Sequence, residues 1–191
     1  TAKGLWLVYF GLSLACCAAY KLAGMSWVDA LMHMFTTMST GGFSTHDASF
    51  GYFDSVLVEV IAMIFMLLAA INFGTHFMAL RSRTLTPYRH DLEMTWFLMV
   101  VLGSCAAIGF YLWLMGVYPV VPTAFRHAGS NLVSVATSTG YATQDFNLWP
   151  IFAPLWMMFL VSFASCSGST GGGIKMIRAI VLYKQVYREL T

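Results

Sequence analysis

Residues 38–47 read MSTGGFSTHD and residues 137–146 read TSTGYATQDF. Both stretches are rich in Thr, Ser and Gly, and both interrupt strongly apolar sequence. Their chemistry is that of main-chain oxygen. Irregular backbone at membrane depth leaves N–H and C=O groups unpaired and is tolerated only inside protein or along a watery cavity. Several such loops around one axis can aim carbonyl oxygens inward and replace the water shell of a dehydrated monovalent cation. Gly42 and Gly140 allow the conformations that turn successive carbonyls one way. Phe43 and Tyr141, next in the chain, are expected to point outward and pack the loop against neighbouring helices. Thr40, Ser138 and Thr139 add hydroxyls near the inner end. Asp47 and Asp145 follow at the outer mouth, where carboxylates concentrate cations.

The elements that must position these loops follow from composition. The chain has 191 residues, 59% hydrophobic and only 9% charged, against roughly 25% charged in soluble domains. Its mean hydropathy is +0.72. This is an all-α membrane composition, and a net charge of +2 without a basic run gives no reason to expect nucleic acid. Apolar stretches from about 5–22, 56–80 and 94–117 are long enough to span a ~30 Å bilayer core. A fourth, from about 149 to 187, is divided by a Gly-rich break. Between the first and second spans, Ser26 with Asp29 three residues on reads as a capping box that opens a short helix. Between the third and fourth, Pro122 and Thr123 open another. The C-terminal end of each short helix, with its partial negative charge, points at the cavity.

Charge sets the orientation. Arg81, Arg83 and Arg89 lie in the connection 81–92, Lys175, Arg178, Lys184 and Arg188 near the C-terminal end, and Lys3 before the first span. By the positive-inside rule these face the cytoplasm, so both loops fall on the outer side. The chain thus reads as span, short helix, loop, span, twice over. G-F-S-T-H-D at 42–47 and G-Y-A-T-Q-D at 140–145 are in register, with Gly, an aromatic, a small residue, Thr and Asp aligned. A repeat of this size marks a repeated structural unit. The expected organisation is one unit over 1–80 with its loop at 39–45, the connection 81–92, and a second unit over 93–191 with its loop at 137–143.

The two loops, together with SCSGSTGGGIKMIR at 165–178, make the sequence similar to the Trk/Ktr/HKT superfamily of potassium transporters, and within it to the bacterial TrkH-type subunits. The similarity covers essentially the whole chain. It implies potassium-channel-like units with re-entrant filter loops. Thr40-Gly41-Gly42-Phe43 and Ser138-Thr139-Gly140-Tyr141 match the filter strands, with Gly42 and Gly140 at the key glycine. Four units surround one pore in that family and two are present here, resembling the middle two; the expectation is that the flanking units are missing from this segment. The similarity further implies K⁺ uptake across the bacterial inner membrane, a homodimer, and a cytosolic ring of nucleotide-binding subunits that the inner basic residues, Lys175 included, would contact. Na⁺ coupling or permeation stays open, as does a symport mode. No cofactor and no enzymatic step are expected.

The break at 165–173 contains Ser165, Ser167, Gly168, Ser169, Thr170, Gly171, Gly172 and Gly173, followed by Lys175. Each Gly costs about 1 kcal/mol in a helix, so a continuous helix is disfavoured. The reading is a gate one pore-depth below the filter loops, obstructing the ion path; a plain hinge is the alternative. Phosphate-loop and nucleophile-elbow patterns both fail on spacing. A Ser169–His76 intramembrane hydrolase is the rival from another class, and a tetrameric channel built from copies is the rival within transport. Glu59 is expected to pair with Arg126 or Lys21, His33 and Asn131 to brace the loops from behind, and Asn72, Thr75 and His76 to bind neighbouring helices. Cys16, Cys17, Cys105 and Cys166 show no metal or disulfide spacing and read as buried thiols.

Overall fold

A computed structural model describes residues 2–190; Thr1 and Thr191, the outermost positions of the two expected units, lie outside the described residues. The chain order is α1 (Ala2–Leu22), α2 (Trp27–Met38), α3 (Val56–Ala70), α4 (Phe73–Ser82), α5 (Thr86–His90), α6 (Leu92–Leu114), α7 (Val121–Ala136), α8 (Phe152–Val161) and α9 (Met176–Leu190). The expected all-α architecture holds, and no strand occurs among the described residues.

The long helices cradle the short ones. On α6, Phe97, Val101, Ser104, Ile108 and Leu112 are buried. Their spacing of three and four draws one stripe along the helix, and α7 packs on it. On α1, Cys16 and Tyr20 are buried, and α2 packs there in the same way. The opposite faces carry exposed Trp6, Leu7, Leu22, Met99, Leu102 and Leu114, as expected where lipid rather than water is the solvent. Helices α1 and α6 are long and apolar enough to cross a membrane.

Local chemistry opens the short helices as expected. The Ser26 hydroxyl accepts the Asp29 N–H at 3.0 Å and donates to the Asp29 carboxylate at 2.7 Å. Pro122 sits in the first turn of α7. The two short helices end 98 positions apart, at Met38 and Ala136.

Two spans differ from expectation. The stretch 56–80 is not one helix: α3 and α4 meet at a 94° bend. Asn72 causes it locally, its side chain capping α4 by accepting the Gly74 N–H at 2.7 Å. The bend frees carbonyls that a straight helix would consume. Ala70 accepts the Cys166 N–H at 3.0 Å and Ala69 the Thr170 N–H at 3.2 Å, while the Phe73 N–H reaches the Gly168 carbonyl at 3.1 Å. In the expected fourth span, α8 has only 10 residues, and the chain between α8 and α9 is non-helical over 162–175, wider than the expected break.

The units are tied near the start of α7. Glu59, 2% exposed, accepts two hydrogen bonds from the Arg126 Nε (3.1 and 3.2 Å), a third from its Nη2 (2.7 Å) and one from Ser130 (2.9 Å). Arg126 also donates to Asp54 at 2.8 Å. Lys21 is not the partner; its ammonium caps the Met25 carbonyl at 3.1 Å. Removing one member of a buried pair strands the other charge and costs roughly 3–5 kcal/mol. R126A should therefore lower the thermal unfolding midpoint of the full-length protein far more than D54A, since Asp54 is largely exposed; equal midpoints would contradict the strut.

Candidate functional site

The two loops leave their helices by the same route. After α2, the N–H groups of Gly41 and Gly42 both return to the Thr36 carbonyl, at 2.8 and 3.4 Å. After α7, those of Thr139 and Gly140 both return to the Ser134 carbonyl, at 2.8 and 3.3 Å. Every donor and acceptor has its counterpart 98 positions on. The backbone angles repeat too. Thr40 (φ 52°) and Gly42 (φ 68°) are left-handed, as are Ser138 (φ 58°) and Gly140 (φ 96°). Gly41 and Thr139 between them are not. Alternating handedness turns successive carbonyls to a common side. A Thr or Ser in the left-handed region costs on the order of 1–2 kcal/mol, so the surrounding bonds must hold it there. The strand N–H groups are thus spent on the helix end, and the carbonyls of Thr40, Gly41, Gly42, Ser138, Thr139 and Gly140 accept no hydrogen bond among the described residues.

The strands lie against each other. A Cβ at Gly42 would stand 2.0 Å from the Thr139 carbonyl oxygen, so glycine is demanded there by close approach as well as by φ. Tyr141 packs as expected: it is 3% exposed, and its hydroxyl meets Thr36 at 2.5 Å and Thr37 at 3.0 Å on α2. Phe43 departs from expectation. It is 78% exposed, because this chain has no element on that side for its ring to meet.

The predicted braces are in place. His33 bonds the Asp29 carbonyl at 2.8 Å and the Ser44 hydroxyl at 2.9 Å. Asn131 donates to the His127 carbonyl at 3.0 Å and accepts the Thr143 N–H at 3.0 Å. Each joins its helix to the outgoing limb of its loop. Asp29, at the start of α2, is held below the usual carboxylate range by hydrogen bonds from Thr45 first and then Ser26. Asp47 and Asp145 line one cleft of about 520 Å³ with Ser49, Gln144 and Asn147.

The 162–175 loop is nearer than a pore-depth away. It touches the first residue of each strand. The Thr40 hydroxyl donates to the Thr170 carbonyl at 3.0 Å, and the Gly172 N–H donates to the Ser138 hydroxyl at 2.6 Å. The Ser165 hydroxyl holds the Gly172 carbonyl at 2.7 Å, and the Lys175 ammonium donates to the Gly171 carbonyl. Gly168 packs against the Asn72 side chain. Glu93, not singled out from sequence, reaches this loop; a lone acidic residue in the first turn of a helix reads as ordinary dipole complementation.

A family model described as "TrkH: Cation transport protein" matches residues 1–191. The chain belongs to the TrkH family. It is 45% identical over 191 residues to the Trk system potassium uptake protein TrkH of Halomonas elongata, and 42% identical over 190 residues to that of Escherichia coli K12. Each alignment covers all of this chain and 39% of the relative. The crystal structure of the potassium transporter TrkH from Vibrio parahaemolyticus superposes with a TM-score of 0.96 at 41% identity, covering 100% of this chain and 41% of that one. The chain therefore spans about two-fifths of the length of these relatives. TrkH is a family of transport proteins, not of enzymes, and the local geometry agrees. Ser169 donates to the Cys166 carbonyl at 2.6 Å, while the His76 nitrogens meet the Tyr88 hydroxyl (2.7 Å) and the Leu68 carbonyl (2.9 Å). No Ser169–His76 dyad forms.

A methyl group tests the close approach of the strands at Gly42. G42A and G140A both force a left-handed alanine, at about 1–2 kcal/mol. Only G42A also collides with backbone, since nothing lies within 4 Å of a Cβ at Gly140 in this chain. Thermal unfolding of full-length variants in detergent should rank G42A well below G41A, whose added methyl meets the Ser39 side chain and carries no left-handed strain; matching midpoints would contradict the close approach of the strands.

Proposed function

We propose that residues 1–80 and 93–191 are two adjoining pore units of a potassium uptake protein, with filter strands 40–43 and 138–141 presenting main-chain carbonyls to partly dehydrated K⁺. One observation carries this reading: the duplicated strand whose N–H groups fold back onto one helix carbonyl while its own carbonyls stay free. Strands of this kind satisfy the cation by geometry, without a charged ligand. The ends of α2 and α7 supply partial negative charge at the inner side. The acidic cleft at Asp47 and Asp145 supplies it at the outer side. The relatives are potassium uptake proteins, which supports K⁺ as the cargo, with Na⁺ coupling or co-permeation as the alternative.

In this reading the 165–173 segment is the gate, with Ser165, Gly168, Thr170, Gly171, Gly172, Gly173 and Lys175 holding it across the inner end of the filter. Exposed Phe43 supports a further pore unit beside the first, as Tyr141 seats against α2. The remaining units of the same protein, a second copy, membrane lipid and a cytosolic nucleotide-binding subunit complete the assembly. The bacterial inner membrane is its place, with the filter loops outside and 81–91 and the C-terminal end in the cytoplasm.

Replacing Gly140 by Ser in the full-length protein should lower the K⁺/Na⁺ preference in a liposome flux assay. An unchanged ratio with intact flux would remove the 138–141 strand from the ion path. Deleting 171–173 should raise K⁺ leak severalfold, and an unchanged flux would count against the gate.

A further inference from the structure

We infer that Glu93 is the positioning residue that keeps the gate loop closed, by tying the neck of the loop. Its carboxylate is buried, and one oxygen, Oε1, accepts both the Ser167 N–H at 2.8 Å and the Ile177 N–H at 3.0 Å. Those donors are ten residues apart in the chain, and most of the gate segment lies between them: Gly168, Thr170, Gly171, Gly172, Gly173 and Lys175. Other contacts hold the loop at single points. Thr170 hangs from the Ala69 carbonyl, Gly172 from Ser138, and Lys175 bridges within the loop itself. The neck is also closed on itself, where the Ile174 N–H reaches the Ser162 carbonyl at 2.7 Å and the Met176 N–H the Ser165 carbonyl at 2.8 Å, and Glu93 anchors both sides of that neck to α6. Without it the neck loses its hold on α6 and can shift as a body, and the glycines resist little because they carry no side chains to pack.

The location of Glu93 adds a second property. It stands on the first turn of α6, two residues after Asp91, which takes the Met94 N–H at 3.0 Å on one oxygen and the Thr75 hydroxyl of α4 at 2.7 Å on the other. The α6 start therefore links the bent helix of the first unit to the gate loop of the second. A shift of the 81–92 connection moves Glu93 and the loop neck together.

This inference rests on reading the 165–173 segment as a gate, and the experiment separates the two. The full-length protein is reconstituted in liposomes as the parent, E93A, E93Q and the 171–173 deletion, with Rb⁺ flux as the readout. E93A should raise leak about tenfold, which corresponds to ~1.4 kcal/mol in the closed–open equilibrium, and leave the K⁺/Na⁺ preference as in the parent. E93Q keeps the Oε1 acceptor and should stay near the parent. A second readout follows the loop itself. Cys166 is fully buried, so in a background where it is the one remaining cysteine its maleimide labelling should quicken in E93A and not in E93Q. If the deletion leaks while E93A stays tight with Cys166 protected, the latch is overturned and the gate stands. If neither leaks, the gate reading falls and the latch with it. If E93A does not yield folded protein, E93D, which withdraws the oxygen by one methylene, is read by the same criteria.

Discussion

The structure depends on one constraint: backbone that leaves a helix at membrane depth must find partners for its N–H groups without losing its carbonyls. Here the solution is the same in both loops. Two consecutive N–H groups fold back onto the carbonyl of Thr36 or Ser134, four residues before the start of the strand. The donors are then satisfied, and the acceptors face away. Left-handed Thr40 and Ser138 make that return possible, and the helices behind them are fixed by packing on α1 and α6. Without that packing the left-handed residues would relax, because nothing in their own sequence favours that conformation.

The same constraint governs a second region. The loop between α8 and α9 carries fourteen residues of irregular chain, 162–175, whose polar groups also need partners. They find them on the bend between α3 and α4, where Ala69 and Ala70 offer carbonyls that a straight helix would have used. The bend and the break are therefore one feature. Each supplies the hydrogen bonds that the other lacks, and neither would be stable beside a continuous helix. Contacts from Thr40 and Ser138 then set the loop directly against the strands at 40–43 and 138–141.

Much of this was legible in the sequence because it is local or repeated. The cap at Ser26 and Asp29, the short helices, the two loops and the Gly-rich break follow from residue type and order. Glu59 with Arg126 was legible because a carboxylate in an apolar run must find a cation, and few were near. What stayed hidden depends on long-range pairing. Asn72 in an apolar stretch gives no sign of a 94° bend, since its capping role appears only once the helix has turned. Glu93 looks like any acidic residue at a helix start until Ser167 and Ile177 arrive from over seventy residues away. The separation of loop and strands was overestimated because chain order carries no depth.

The two units are alike in backbone and unlike in side chains, and the differences fall where the units meet. Tyr141 carries a hydroxyl that joins Thr36 and Thr37 of α2. Phe43, at the matching position, has none and its ring stays exposed. Likewise Gly42 is crowded by the Thr139 carbonyl while Gly140 faces open space. The open side of Gly140 and the exposed ring of Phe43 are the two faces of the paired strands that meet no other element among the described residues.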